Sequence, residues 1–304
     1  MKKSLLILAA LLVSITAWAE EPTVKEITAN GVTFKMVEVK GGRFNMGGTC
    51  EQFGCEDDEF PIHVVTLGDY YIGQTEVTQE LWSAIMNENP SGFQGDDHPV
   101  ERVTWQSCQD FVSRLTAITG IEFRLPTESE WEFAARGGLN THYYQYSGSD
   151  NLDEVGWYGG NDGGTTHPVG LLKPNELGIY DMTGNVFEWC QDYYGDYDMM
   201  PAESPTGPES GETRVRRGGS WGGSTHGTRV SFRIYELENI RYNYIGLRLA
   251  ATTIPDDNVA LTSAPSISES QQPKNGKRYN VMGQPADANY KGIVIEDGAK
   301  ILVK

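Results

Sequence analysis

Cysteine is scarce in this 304-residue chain. There are four, Cys50, Cys55, Cys108 and Cys190, and none between 191 and 304. A thiolate centre built from residues after 190 is therefore excluded. Histidine is scarce too. His63, His98, His142, His167 and His226 show neither H-x3-H nor H-E-x-x-H spacing, so no local histidine metal pair is encoded. Positive charge is short, with 24 Lys and Arg against 42 Asp and Glu and a formal net charge of −18. Such a balance repels nucleic acid and anionic membrane surfaces. Long apolar runs are absent after the first 20 residues. The one run, Leu5 to Val13, falls short of the roughly 18 to 20 residues that a membrane span needs, so no transmembrane segment is expected in the mature chain.

That run has the composition of a secretory signal. Lys2 and Lys3 form the basic region before it, and Ala17-Trp18-Ala19 is a small-x-small cleavage site, giving a signal peptide at 1–19. No cysteine follows the run, which argues against a lipid-anchored form. The expected location is periplasmic, cell-surface or secreted. Export implies an oxidising compartment, and an even cysteine count then favours disulfides. Cys50 and Cys55, in the Gly-rich GGTCEQFGCEDDEF, suit a local staple. Cys108 and Cys190 form a second bridge or remain buried thiols. Zinc is disfavoured, because no second Cys or His pair lies nearby at ligand spacing.

Four zones follow one another: the signal, a body at 22–252, a polar Pro- and Ser-containing linker at 253–273, and a basic tail at 274–304. The tail holds six basic and three acidic side chains, which leaves −23 on residues 20–273. A solvated surface is the expected fate of most of these carboxylates.

The body opens with strand-like alternation at Phe34, Met36, Val37 and Val39, followed by a Gly-rich turn region, GGRFNMGG, and further strands in HVVTLGDYYIGQTEVT. Thr78 is placed to cap a helix with Leu81, Trp82, Ile85 and Met86 on one face. A second helix carries Trp105, Cys108, Phe111, Val112, Leu115 and Ile118 and stops at Gly120. A third starts at a capping box of Thr127 and Glu130 and ends at Gly137 and Gly138. From 140 to 250 helical periodicity is scarce, and Gly, Asn, Asp, Tyr and Trp dominate. The expected class is α+β, loop-rich and pinned by aromatic anchors. The tail has a β-rich hairpin pattern, with Tyr279, Val281 and Met282 before a turn and two apolar runs after it.

Five motifs occur in order: VTWQSCQDF, RLPTESEWEFAARGG, PNELGIYDMTGNVFEWCQDYY, RVRRGGSW and IGLRLA. Together they closely resemble the formylglycine-generating enzymes, or sulfatase-modifying factors, over roughly residues 30 to 250. The resemblance implies one C-type-lectin-like domain with little regular secondary structure. It also implies an oxidase that uses copper held by two cysteines after RGGSW. In this chain Gly223 and Thr228 occupy those positions. Copper therefore lacks its thiolate ligands. An iron-dependent branch of the family draws its ligands from a histidine cluster in a separate helical domain, for which no room is expected before residue 30. For iron, a triad assembled from distant residues stays open.

The family's calcium site resembles GNVFEW, which implies Asn185 and Glu188 side chains with main-chain oxygens around Gly184 and Val186. Structural hydrogen bonds in a turn are the other reading of the same residues. A second family calcium position matches DEVGWYGGND poorly. Among the arginines, Arg217 and Arg248 suit a loop-rich core. Ser220, Trp221, His226, Arg229 and Arg233 are candidates for a groove that takes a protein, glycan or peptide ligand. The tail resembles short C-terminal segments that direct secreted proteins of gram-negative bacteria to a dedicated sorting route. The expectation is an exported, catalytically degenerate family member acting as a binding or envelope-assembly module. The alternative is a metal-dependent oxidase with a non-standard site.

Overall fold

The structure is a computed structural model that describes residues 22–256, 278–280, 292–296 and 299–303. The signal and most of the linker lie outside the described residues. In the body, helix α1 (Gln79–Met86) starts where Thr78 accepts a hydrogen bond from Leu81 N and stops at left-handed Asn87. Helix α2 (Trp105–Thr119) is capped by Thr104, which accepts from Ser107 N, and ends at Gly120 with φ +72°. These two helices bring Trp82 and Phe111 into a stack with ring centroids 5.0 Å apart. They cover a cluster that includes Leu81, Leu115, Trp189 and Leu247.

Helix α3 (Glu128–Ala135) begins at the expected capping box of Thr127 and Glu130. All eight of its residues are buried, three of them glutamates. A helix buried on every side is usually apolar all round. This one is tolerated because arginines reach it, as described below. Its Trp131, Phe133 and Ala134 join a second cluster with Val37, Tyr70, Ile179 and Val215.

A five-stranded antiparallel sheet runs in the order Val24–Ala29, Val32–Val39, Tyr70–Gly73, Ala250–Ala251, Phe123–Arg124. The chain end near 250 is thus locked between strands from the first half. A four-stranded sheet runs Arg233–Leu237, Thr213–Arg217, Phe187–Tyr193, Ile245–Leu247, with the last pair parallel. A three-stranded sheet joins Arg43–Met46, His63–Thr66 and Ala202–Glu203.

Three expectations are corrected. GGRFNMGG is not only a turn, because Arg43–Met46 pairs with His63–Thr66. The region after 140 holds a full sheet, hidden in the sequence because its strands bury charged side chains such as Glu188, Asp192 and Arg217. The body also runs past 252, since Ile254 packs into the first cluster. In the tail, Gly292–Glu296 pairs antiparallel with both Arg278–Asn280 and Ala299–Val303. Contacts divide the chain into two compact units, residues 1–262 and 263–304.

Asp192 joins the strand Phe187–Tyr193 to α3 by accepting a hydrogen bond from Glu128 N at 2.9 Å. Burial, and then the charge of Glu128, push its carboxyl up to about 8. An unfolded aspartate titrates near about 3.9. The stabilisation tied to the proton is therefore complete below about 4 and lost as pH rises through about 8. We expect this contribution to make the melting temperature fall from about pH 4 to about pH 8 and to level off above that. Asp192→Asn keeps an acceptor for Glu128 N, so it should flatten that fall. A fall of equal steepness in the variant would refute the assignment.

Candidate functional site

The segment Ser220–Arg229 leaves the strand Thr213–Arg217 through Gly218 and Gly219, with φ +97° and +79°. A Cβ on Gly219 would meet Thr228 Cγ2 at 2.6 Å and Gly227 O at 2.8 Å. Glycine there lets the segment fold back on itself. The segment is stitched to the GNVFEW turn by backbone. Gly184 N donates to Gly218 O at 2.7 Å, and Trp221 N donates to Asn185 O at 2.7 Å. Gly159 N donates to Gly223 O at 2.9 Å and fixes the tip.

Gly223 and Thr228 offer no soft ligand. A Cβ on Gly223 would sit 3.0 Å from Ser220 O. Thr228 is fully buried, and its hydroxyl donates to Thr225 O at 3.0 Å. A cysteine from another loop approaches instead. Cys55 Sγ donates to Gln52 O at 2.6 Å and lies 3.6 Å from Arg229 Nη1. Burial, and then the charge of Glu59, push this thiol up and disfavour the thiolate that copper would need. Among the described residues no three His, Cys, Asp or Glu side chains converge as a metal cluster.

The groove expected from Ser220, Trp221, His226, Arg229 and Arg233 is not assembled. Ser220 is buried, and its carbonyl accepts from Gly223 N. Trp221 donates through Nε1 to Asn243 O at 3.0 Å and meets Phe93 edge-on. His226 stays half-exposed, with Nε2 2.8 Å from Glu56 Oε1. Arg229 is fully buried and donates two hydrogen bonds to Glu59, with Ser231 beside it. Arg233 donates two hydrogen bonds to Glu128 at 2.8 Å and lies between Tyr194 and Tyr197. Both arginines therefore belong to the core, because their guanidinium groups are consumed by buried carboxylates. Burial opposes the charge of Glu59, but hydrogen bonds from Arg229 and Ser231 outweigh it and hold that carboxyl below its usual range.

Arg217 and Arg248 do the same. Arg217 pairs with Glu132, and Arg248 pairs with Glu188 at 2.7 Å. Arg136 joins Glu132 to Glu51. The acidic partners were missed in the sequence, where their carboxylates looked solvated. The arginine cluster in an acidic chain was the available signal.

The calcium set expected at Asn185 and Glu188 does not fit. Both Glu188 oxygens accept from Arg248, and Oε2 also accepts from Trp131 Nε1 at 2.7 Å. Asn185 instead clamps the backbone of His167, accepting from its N at 3.0 Å and donating to its O at 3.2 Å. The nearby orphans are both oxygens of Glu76 and Oδ1 of Asp181. Burial, and then the neighbouring Asp181 charge, raise the Glu76 carboxyl well above its usual range. Burial likewise pushes Asp181 up to about 6. The Cys50–Cys55 staple is not formed, and of the two states expected for Cys108 and Cys190 the structure shows the buried thiols. All four cysteines are free thiols: Cys50 is exposed, Cys55 is turned toward Gln52 and Arg229, and Cys108 and Cys190 are buried in different clusters.

The sulfatase-modifying factor enzyme 1-like domain family matches residues 22–253. The chain belongs to this family. Its fold is the loop-rich C-type-lectin-like fold of the formylglycine-generating enzymes. It is 35% identical to a chaperone protein LppX of Paenibacillus barcinonensis, over 55% of this chain and 75% of that one. It is 30% identical to a formylglycine-generating enzyme of Thermomonospora curvata, over 61% and 82%. A match to serine/threonine-protein kinase pkn1 of Chlamydia pneumoniae, 31% identical over 68% of this chain, spans only 35% of that protein. Among solved structures, Treponema denticola variable protein 1 superposes with a TM-score of 0.70 at 33% identity, over 76% of this chain and all of that one.

The geometry generates one stability test. Arg229→Met would leave Glu59 buried without its cation, a loss of about 3–5 kcal/mol. Adding Glu59→Met should recover much of it. Urea unfolding of the two variants checks this, and a single-variant loss under about 1 kcal/mol would contradict a buried pair.

Proposed function

We propose that this family member is exported and catalytically degenerate, and that it uses the lectin-like scaffold to bind a protein, glycan or peptide in the cell envelope. The observation that carries the reading is the chemistry of positions 223 and 228. Glycine and a buried threonine stand where the oxidases are expected to hold copper. A hydroxyl and a hydrogen atom cannot replace two thiolates toward a soft monovalent ion. Cys55 is a single thiol with its charge disfavoured, so it does not restore the pair. A relative named as a chaperone is consistent with a binding role. Export rests on the N-terminal signal pattern.

Incubation of the purified protein with copper, oxygen and a cysteine-containing sulfatase peptide should leave the peptide mass unchanged. Specific conversion to formylglycine would overturn the reading in favour of a metal-dependent oxidase with a non-standard site.

We further propose that the tail serves sorting or attachment. The stretch after Asp256 is polar and Ser-rich, with few large apolar groups to offset chain entropy. A chain ending at Asp256 keeps Ile254 and should unfold cooperatively near the full-length melting temperature. In the native host it should accumulate in the periplasm. Aggregation of the short chain, or normal surface delivery, would reject this role.

A further inference from the structure

A cleft of about 950 Å³ opens beside the C-terminal end of α3. Its lining shares no residue with the 220–229 segment, and it rests on no part of the proposed function. The volume lies within the range of small-molecule sites. Phe44 and Phe133 form part of its wall, with ring centroids 5.0 Å apart. Around them stand three apolar side chains that the core does not cover: Ile62 at 42% exposure, Leu139 at 61% and Tyr143 at 68%. Scattered exposed apolar residues need no explanation, but several around one concavity mark a binding surface.

Tyr143 adds a second observation. Its φ is +62°, a left-handed conformation that is unfavourable for a bulky residue. The backbone is held there by Tyr143 N donating to Thr141 Oγ1 at 3.1 Å. The strain presents an aromatic ring at the cleft instead of burying it.

Charge then selects the ligand. Arg136 at the cleft is neutralised by Glu51 and Glu132. Arg43 is exposed, lines the same cleft, and has no carboxylate within ion-pair distance among the described residues. Arg114 and Arg241 are likewise exposed without an ion pair among the described residues, but of the three only Arg43 lines this cleft. Acidic groups more than about 8 Å away are largely screened at physiological ionic strength, so the near guanidinium dominates. We propose that this cleft binds a small amphiphilic carboxylate, with its ring or alkyl chain on Phe44, Leu139 and Tyr143 and its carboxylate at Arg43.

The test is calorimetric titration of the full mature protein with 4-phenylbutyrate and with the neutral 4-phenylbutanol. The acid should bind roughly threefold more tightly than the alcohol, as expected for an exposed ion pair. Arg43→Glu should remove that preference. Leu139→Asp should weaken both ligands by about tenfold or more, by placing a charge against the apolar group. Both substitutions are at exposed positions, so unchanged melting temperatures will show that the fold survives. Cys50 also lines the cleft and is exposed. Peptide mapping should therefore show that 4-phenylbutyrate slows its alkylation. Equal binding of acid and alcohol, no binding of either, or wild-type affinity in Leu139→Asp would overturn the proposal.

Discussion

The pairing of buried arginines with buried carboxylates is the constraint on which this fold depends. Helix α3 places Glu128, Glu130 and Glu132 inside the protein. Arg233 answers Glu128, Arg217 and Arg136 answer Glu132, and the part-exposed Arg124 answers Glu130 at the edge of the network. Glu59 and Glu188 are held in the same way by Arg229 and Arg248. Each ion would be costly to bury alone, so the pairs must form together with the packing around them. The guanidinium fork also donates to free carbonyls, as Arg217 does to Ser231 O and Arg248 does to Gly73 O. Loops with few ladder bonds thereby have their backbone groups satisfied.

The same network decides what the family scaffold can do in this chain. Arg229 and Arg233 are committed to Glu59 and Glu128, so neither can receive a ligand without breaking a core pair. The segment itself is held by backbone bonds to Gly159, Gly184 and Asn185. What remains there is a small-residue loop with a half-exposed histidine. Polar chemistry has moved into support of the fold, while the open concave surface lies elsewhere, around Phe44, Leu139 and Arg43.

Local signals were legible wherever a short stretch of chain settles the outcome. Thr78, Thr127 with Glu130, and Gly120 each act within one turn, and all three mark helix ends in the structure. The family and its α+β class were legible because five motifs recur in order. The four-stranded sheet was not, because its strands carry arginine and glutamate where a strand pattern normally shows apolar residues. The groove assignment failed for a related reason. An arginine in sequence looks the same whether it faces solvent or a buried acid.

The sequence by itself determined the helix caps, the family motifs, and the absence of thiols at 223 and 228. Each depends on residue identity at one place or over a few residues. Only the tertiary structure decided which charge meets which. Glu132 and Arg217 are 85 residues apart, Glu128 and Arg233 are 105 apart, and Glu59 and Arg229 are 170 apart. No local pattern encodes such pairings. They follow from the strand order and from the cost of leaving any one of these charges buried without its partner.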